Sequence, residues 1–193
     1  MKRLMLYCLL LFSAYISAQT TTESHTIQIL PESKLTITGD TNIKEFECGY
    51  YTAQIEEKTP LKYTLKDSQI LFQQAELRLE NKGFDCGNKA INKDFHELIQ
   101  TGEYPEIILK LNKISLESPI LASANVTICI AGLEKDYNLP VYIKNEAIQH
   151  FKGSLQLNIR DFNLEPPEKF FGMIVVKEEI EINFDLSVKN QSL

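Results

Sequence analysis

Apolar and polar residues alternate with a period of two along most of this chain. The alternation is unbroken near the C-terminus, where Ile180, Ile182, Phe184, Leu186 and Val188 are interleaved with Glu181, Asn183, Asp185, Ser187 and Lys189. A helix would scatter these side chains around its axis. A strand sends them to opposite faces, so the run predicts a strand with one buried side. The same pattern recurs at Leu35 and Ile37, at Ile107, Leu109 and Leu111, and at Val126, Ile128 and Ile130. It returns at Leu139, Val141 and Ile143, and again at Leu155, Leu157 and Ile159. Polar or Gly/Pro-bearing segments punctuate the runs: Gly39-Asp40, Lys66-Asp67-Ser68, Glu117-Ser118-Pro119, Gly132 to Asp136 and Lys152-Gly153. These residues suit tight connections between antiparallel neighbours. Two runs slip phase, Leu111 being followed by Ile114 and Leu116, and Ile159 by Phe162 and Leu164. A β-bulge at each point would return the apolar side chains to the buried face. One-faced strands with short connections predict an all-β, antiparallel sandwich or barrel rather than a parallel sheet with crossover helices.

From Asn88 to Gln100 the period changes. Ile91, Phe95, Leu98 and Ile99 fall at i, i+4, i+7 and i+8, the stripe of a short amphipathic helix. Asn88 or Asn92 is suited to cap its start, and Gly102 is placed to end it. In a β-rich domain such a helix covers a sheet edge, plugs a barrel mouth or packs against the core.

The N-terminus follows a third pattern. Lys2 and Arg3 precede a short apolar run from Leu4 to Ile16, which ends in Ser17-Ala18-Gln19. A membrane span needs about 20 apolar residues, so this run is read as a signal peptide over residues 1–18, cleaved after Ala18 or Gln19. Residues 19–193 then form one domain, exported to a periplasmic or extracellular space and not membrane-spanning. Cys8 sits inside the apolar run rather than behind it, which argues against a lipid anchor. Loss of Lys2 and Arg3 reduces the 20 basic residues to 18 against 26 acidic ones, a net charge of about −8. No Lys/Arg patch interleaved with aromatics offsets that charge, so a nucleic-acid partner is excluded.

Export makes disulfides admissible. Cys48 and Cys86 lie in the polar, Gly-containing contexts Glu47-Cys48-Gly49 and Asp85-Cys86-Gly87, whereas Cys129 is embedded in the strand-like Val126 to Ile130. A Cys48–Cys86 bridge is the expected pairing, and closing that loop is worth roughly 4 kcal/mol of chain entropy. Three free thiols or a metal site are the alternatives, although no C-x-x-C spacing exists.

Catalytic chemistry has little to build on. His25, His96 and His150 belong to no H-x-x-x-H or H-E-x-x-H pattern, and no G-x-S-x-G elbow is present. His96 beside Glu97 reads as part of a solvated helix face. Cys129 lacks a neighbouring base or cation that would make it a nucleophile. The chain is read as a non-enzyme with no cofactor.

Four segments in order resemble the YceI-like domains, known as lipid- or polyisoprenoid-binding proteins. They are Leu35 to Phe46 with its Gly-x-Thr-Asn turn, Phe84 to Phe95 with the Tyr104-Pro105-Glu106-Ile107 strand, Val126 to Val141 around Ala131-Gly132-Leu133, and Asp161 to Pro167. The resemblance implies a closed, lipocalin-like barrel of about eight antiparallel strands with an apolar tunnel. This chain departs from better-known members: a His-containing stretch of the first strand region is absent, and Glu134-Lys135 replaces Thr-Lys in the hairpin. Those departures bear on the ligand rather than on the fold. An apolar lipid or isoprenoid is the implied partner, since burying each methylene is worth about 0.8 kcal/mol without polar contacts. The candidate lining residues are Ile37, Phe46, Phe72, Ile128, Ile130, Leu157 and Phe184 from inward-facing sets, with Phe95 and Leu98 from the helix. Each of them could equally be ordinary core. A filled barrel that acts through surface contacts with another exported protein is the competing reading.

Overall fold

The alternating runs become strands in the computed structural model, which describes residues 22–55, 58–169 and 174–191. The expected signal peptide over residues 1–18, with Cys8, lies outside the described residues. The strands are β1 (Thr22–Ile29), β2 (Lys34–Thr41), β3 (Glu45–Tyr50), β4 (Thr59–Lys66), β5 (Gln69–Gln74), β6 (Glu76–Glu80) and β7 (Phe84–Asp85). One helix, α1 (Lys89–Leu98), follows. Then come β8 (Glu106–Ser118), β9 (Leu121–Ile130), β10 (Leu133–Asn145), β11 (Gln149–Asn158), β12 (Glu168–Lys169) and β13 (Ile174–Gln191).

Antiparallel pairing runs β1-β4-β5-β8-β9-β10-β11-β13 and returns from β13 to β1, so eight strands close a barrel. The expected all-β barrel with one short helix is the fold observed. Its long strands have partners in succession. β13 pairs β11 along one edge, while its other edge meets β2 between Thr41 and Lys34 and then β1 between Ile29 and Thr26. β8 likewise meets β6 from Glu106 to Lys110 and β5 from Lys113 to Ser115. The barrel therefore has two levels. β1, β4 and β5 close the upper one, and β2, β3, β6 and β7 wall the lower. At the joint between β1 and β2, Ser187 N donates to Ser33 Oγ at 3.0 Å and Leu30 N to Ser187 O at 2.8 Å, which replaces the interrupted ladder.

The phase slip after Leu111 is a bulge: Leu111 pairs Val126 and Lys113 pairs Asn125, with Asn112 as the extra residue. The slip after Ile159 is not. There a 3-10 turn, Ile159–Phe162, ends β11 and buries Ile159, Phe162 and Leu164 together. Three of the expected turns also differ. The β9–β10 connection is the two-residue Ala131-Gly132, with φ of 47° and 76° as a primed hairpin turn requires, and Leu133 to Asp136 already belong to β10. Gly39-Asp40 and Gly153 lie inside β2 and β11.

Asn88 caps α1, its side chain accepting from Ala90 N and Ile91 N. Asn92 turns back instead, accepting from Cys86 N at 2.6 Å and donating to Asp85 Oδ1 at 2.9 Å. The helix ends at Gln100 rather than Gly102. Gln100 has φ 55°, and Thr101 N bonds His96 O while Gln100 N bonds Glu97 O, the paired bonds of a Schellman stop. A glycine would hold this left-handed position without a Cβ penalty, so Gln100→Gly should raise stability by about 0.5–1 kcal/mol in urea unfolding.

Cys48 and Cys86 are joined, with Cα atoms 3.9 Å apart and a sequence separation of 38. The bond ties β3 to the segment between β7 and α1. Cys129, on the outer side of β9, is free and half-buried. Reduction should lower the unfolding free energy by about 4 kcal/mol, measured by urea titration with and without reductant, while Cys129→Ser leaves it nearly unchanged.

Candidate functional site

Inward-facing side chains at the two levels of the barrel meet different fates. At the lower level Leu79, Ile107, Ile128, Ile130, Leu157, Ile159, Phe162 and Leu164 pack into one buried cluster with the Cys48–Cys86 bridge, Tyr50 and Phe84. Helix α1 closes this end. Its Ile91, Phe95 and Leu98 lie against the cluster, with the Phe95 ring 5.4 Å from that of Phe84. His96 is half-buried beside the open groove along the helix, on the face read as solvated. Its Nε2 lies 3.0 Å from Asn81 O, which can only accept, so the imidazole donates there and pins the helix to the turn after β6.

The upper level is looser. Leu65 pairs Ile70, Ile70 pairs Ile114, and Ile114 packs on the small cluster of Ala124, Leu139 and Val141, which places all three on the lumen side. Yet Leu65 is 46% exposed, and Leu116, opposite the inward-facing Ala122, is 44% exposed. In the lower level Ile128 and Leu79 are each 2% exposed. Two small side chains, Ala122 and Ala124, face the lumen from β9 where bulkier ones face it below. The upper lumen is thus apolar and packed around Ala124, Leu139 and Val141, with Leu65 and Leu116 left uncovered beside the turns that end β4 and β8.

Aromatic rings laid on glycines mark where the filled region ends. Gly153 pairs Phe184 across β11 and β13, and a Cβ on it would sit 2.6 Å from both Phe184 Cζ and Pro140 O. Gly39 pairs Phe46 in the same way and lies under its ring. Phe184 touches both clusters and stands between the two levels.

The nine residues expected to line a ligand therefore separate. Ile37, Ile128, Ile130 and Leu157 are fully buried in the lower cluster. Phe46, Phe95 and Leu98 pack on its border, and Phe184 lies at the division. Phe72 belongs to the upper level, its ring 5.7 Å from that of Tyr63. Sequence reasoning missed Tyr63, Leu65, Ile70, Ile114 and Leu116 as lining, although Leu61, Tyr63 and Leu65 alternate as the other runs do.

Polar groups enter the lumen at two places. At the upper rim Tyr63 donates to Glu23 Oε2 at 3.0 Å, and the His25 ring stacks on Tyr63 with centroids 5.5 Å apart. Burial, then the bond to Glu23, raises the Tyr63 phenol above its ordinary value. At the lower end Tyr137 donates to Asp161 at 3.2 Å; burial and the adjacent carboxylate push its phenol up to about 12, so it stays a donor at any physiological pH.

Two further hollows lie outside the wall. An open groove of about 740 Å³ runs along the polar side of α1, past Lys89, Lys93, Glu97 and Glu103, and one of about 320 Å³ lies by Tyr142, Lys144 and Lys152. Both are lined by charge and suit an apolar chain poorly. Ser187 Oγ lies 3.2 Å from His150 Nδ1, but Ser187 is buried under the Ser33 joint and cannot meet a substrate. Among the described residues no three His, Cys, Asp or Glu side chains converge to hold a metal, and no helix is long and apolar enough to cross a membrane.

The YceI-like domain family matches residues 31–188, most of the barrel. This chain belongs to that family. Its fold is similar to the crystal structure of Burkholderia cenocepacia BcnA, at 19% identity and a TM-score of 0.62, over 81% of this chain and 96% of that one. It is also similar to a polyisoprenoid-binding domain from Saccharophagus degradans implicated in plant cell wall breakdown, at 11% identity and a TM-score of 0.60, over 86% of this chain and 98% of the other. A Campylobacter jejuni YceI protein aligns over 63% of this chain and 74% of its own, at 14% identity and a TM-score of 0.54. No curated protein matches the sequence. At these identities the likeness is one of fold alone.

A Cβ on Gly153 cannot shift away from the ring freely, because Pro140 O also lies 2.6 Å from it. Gly153→Ala should cost about 1–3 kcal/mol in urea unfolding, whereas Gly49→Ala, with nothing within 4 Å of its Cβ, should cost under about 0.5 kcal/mol.

Proposed function

We propose that this protein holds an apolar chain, a polyisoprenoid or another lipid, in the upper level of its barrel. The observation that carries the reading is a pair of lumen-side apolar groups, Leu65 and Leu116, that stay exposed while the lower level is packed. A chain threaded there covers them and gains about 0.8 kcal/mol for each methylene removed from water. Small closed barrels hold one such ligand without exposing a sheet edge. Phe72 and Phe184, from the residues expected by sequence, line this path with Ile70 and Ile114. The lower cluster and α1 form its floor. The likeness to the polyisoprenoid-binding domain from Saccharophagus degradans favours the same class of guest. No chemistry on the guest is part of this role.

The protein works outside the cytoplasm in this reading, as a periplasmic or secreted carrier. The leader-like residues 1–18 and the Cys48–Cys86 disulfide, a bond that persists in oxidising compartments, both support export.

Native mass spectrometry of protein purified from its own host, followed by solvent extraction, tests the reading. The expected result is an adduct of lipid mass in near-stoichiometric amount, lost when Ile114→Asp places a charge in the lumen. A ligand-free spectrum, with no uptake of added long-chain isoprenoid, would instead establish the filled barrel acting through its surface.

A further inference from the structure

The upper lumen is mostly apolar, and one polar group in its wall is built from three strand positions that share a face. Glu23 pairs Tyr63 and His25 pairs Leu61 across β1 and β4. Ile27 and Ile29, which follow on the same side of β1, pack on the core, so Glu23 and His25 face the lumen. Tyr63 confirms the direction, since its ring meets Phe72, which shares its side of β5 with the lumen-facing Ile70. Lys62 and Lys66 take the opposite register on β4 and point away.

Their height matters as much as their direction. β13 follows β1 only as far as Thr26, opposite Gln191, so Glu23 and His25 stand above the last paired residue at the mouth of the barrel. The three side chains are tied together. Glu23 Oε2 accepts from Tyr63 Oη at 3.0 Å and lies 3.3 Å from His25 Nε2, which must donate to it because a carboxylate only accepts. Stacking of His25 on Tyr63, with rings 17° from parallel, holds the arrangement. Among the described residues Glu23 Oε1 makes no bond, and the Glu23 side chain is 35% exposed.

On the reading that an apolar chain fills the upper lumen, we infer that Glu23, His25 and Tyr63 form a head-group subsite at the mouth that selects an alcohol-headed isoprenoid over a phosphorylated one. An alcohol donates its proton to Glu23 Oε1 and rests on the His25–Tyr63 stack. A diphosphate brings negative charge against a carboxylate, with the nearby lysines turned outward. An acceptor-only anion also has nothing to offer an oxygen that needs a donor.

Competition against a fluorescent apolar probe tests this with three guests: geranylgeraniol, geranylgeranyl diphosphate and a branched C20 hydrocarbon with no head. The wild-type protein should bind the alcohol about tenfold more tightly than either of the others. Glu23→Gln should shrink the preference for alcohol over diphosphate to about threefold or less and leave the hydrocarbon unchanged. Tyr63→Phe keeps the stacked ring, loses the hydroxyl that orients Glu23, and should reduce the preference in the same direction. Unchanged melting temperatures would show that both variants fold. Equal binding of all three guests, or tightest binding of the diphosphate, overturns the head-group subsite while the lipid-binding reading stands. Failure of all three to displace the probe overturns both.

Discussion

Closure along β13 is the constraint on which the rest depends. A strand of 18 residues is roughly 60 Å long, far more than any one neighbour in this barrel can pair. Left bare, part of its edge would be a row of unpaired backbone groups. The chain meets this by laying β1 and β2 end to end on that edge, with the Ser33 hydroxyl bonding at the interruption. The two levels of the barrel follow directly. β1 turns outward to pair β4, β2 turns to pair β3, and the wall is built from different strands above and below the joint.

Each level is then completed by different physics. Above, backbone ladders alone close the ring through β4 and β5. Below, β3 meets β7 over only two residue pairs, a short ladder for a wall. The Cys48–Cys86 bond and the apolar side of α1 reinforce that stretch, and the buried cluster fills the space behind it. Aromatic rings settled on Gly39 and Gly153 complete the filling, since a bare backbone lets a ring approach as no side chain would. The lower level is therefore rigid, cross-linked and full. The upper level has a continuous ladder and needs no such filling, and there Leu65 and Leu116 stay exposed on the lumen side.

This division explains how a family can share a barrel at 11–19% identity with its structural neighbours. An apolar chain asks for volume and dryness rather than for specific contacts, so many sequences satisfy it provided that the lower level is filled and the ladder closes. What distinguishes one member from another lies where polarity meets the lumen. In this chain those places are the Glu23, His25 and Tyr63 group at the rim and Tyr137 with Asp161 at the base.

Several elements were legible in the residues themselves. Alternation assigned the buried side of β8 to β11 and of β13, the slip after Leu111 marked a true bulge, the stripe Ile91, Phe95, Leu98 and Ile99 marked α1, and local context separated Cys48 and Cys86 from Cys129. These are properties of a chain's own backbone period and immediate neighbours. Glycines were less legible. Gly39 and Gly153 look like turn residues, and only the pairing register shows Phe46 and Phe184 lying across from them. Gln100 ended the helix where Gly102 was expected, because bonds to the carbonyls of His96 and Glu97 fixed the stopping point. The openness of the lumen was the least legible feature. Alternation says that Ile128 and Leu65 both face inward; whether such a side chain is packed or open depends on what the other seven strands place at the same height. That height is set by register, and register is a property of the closed barrel.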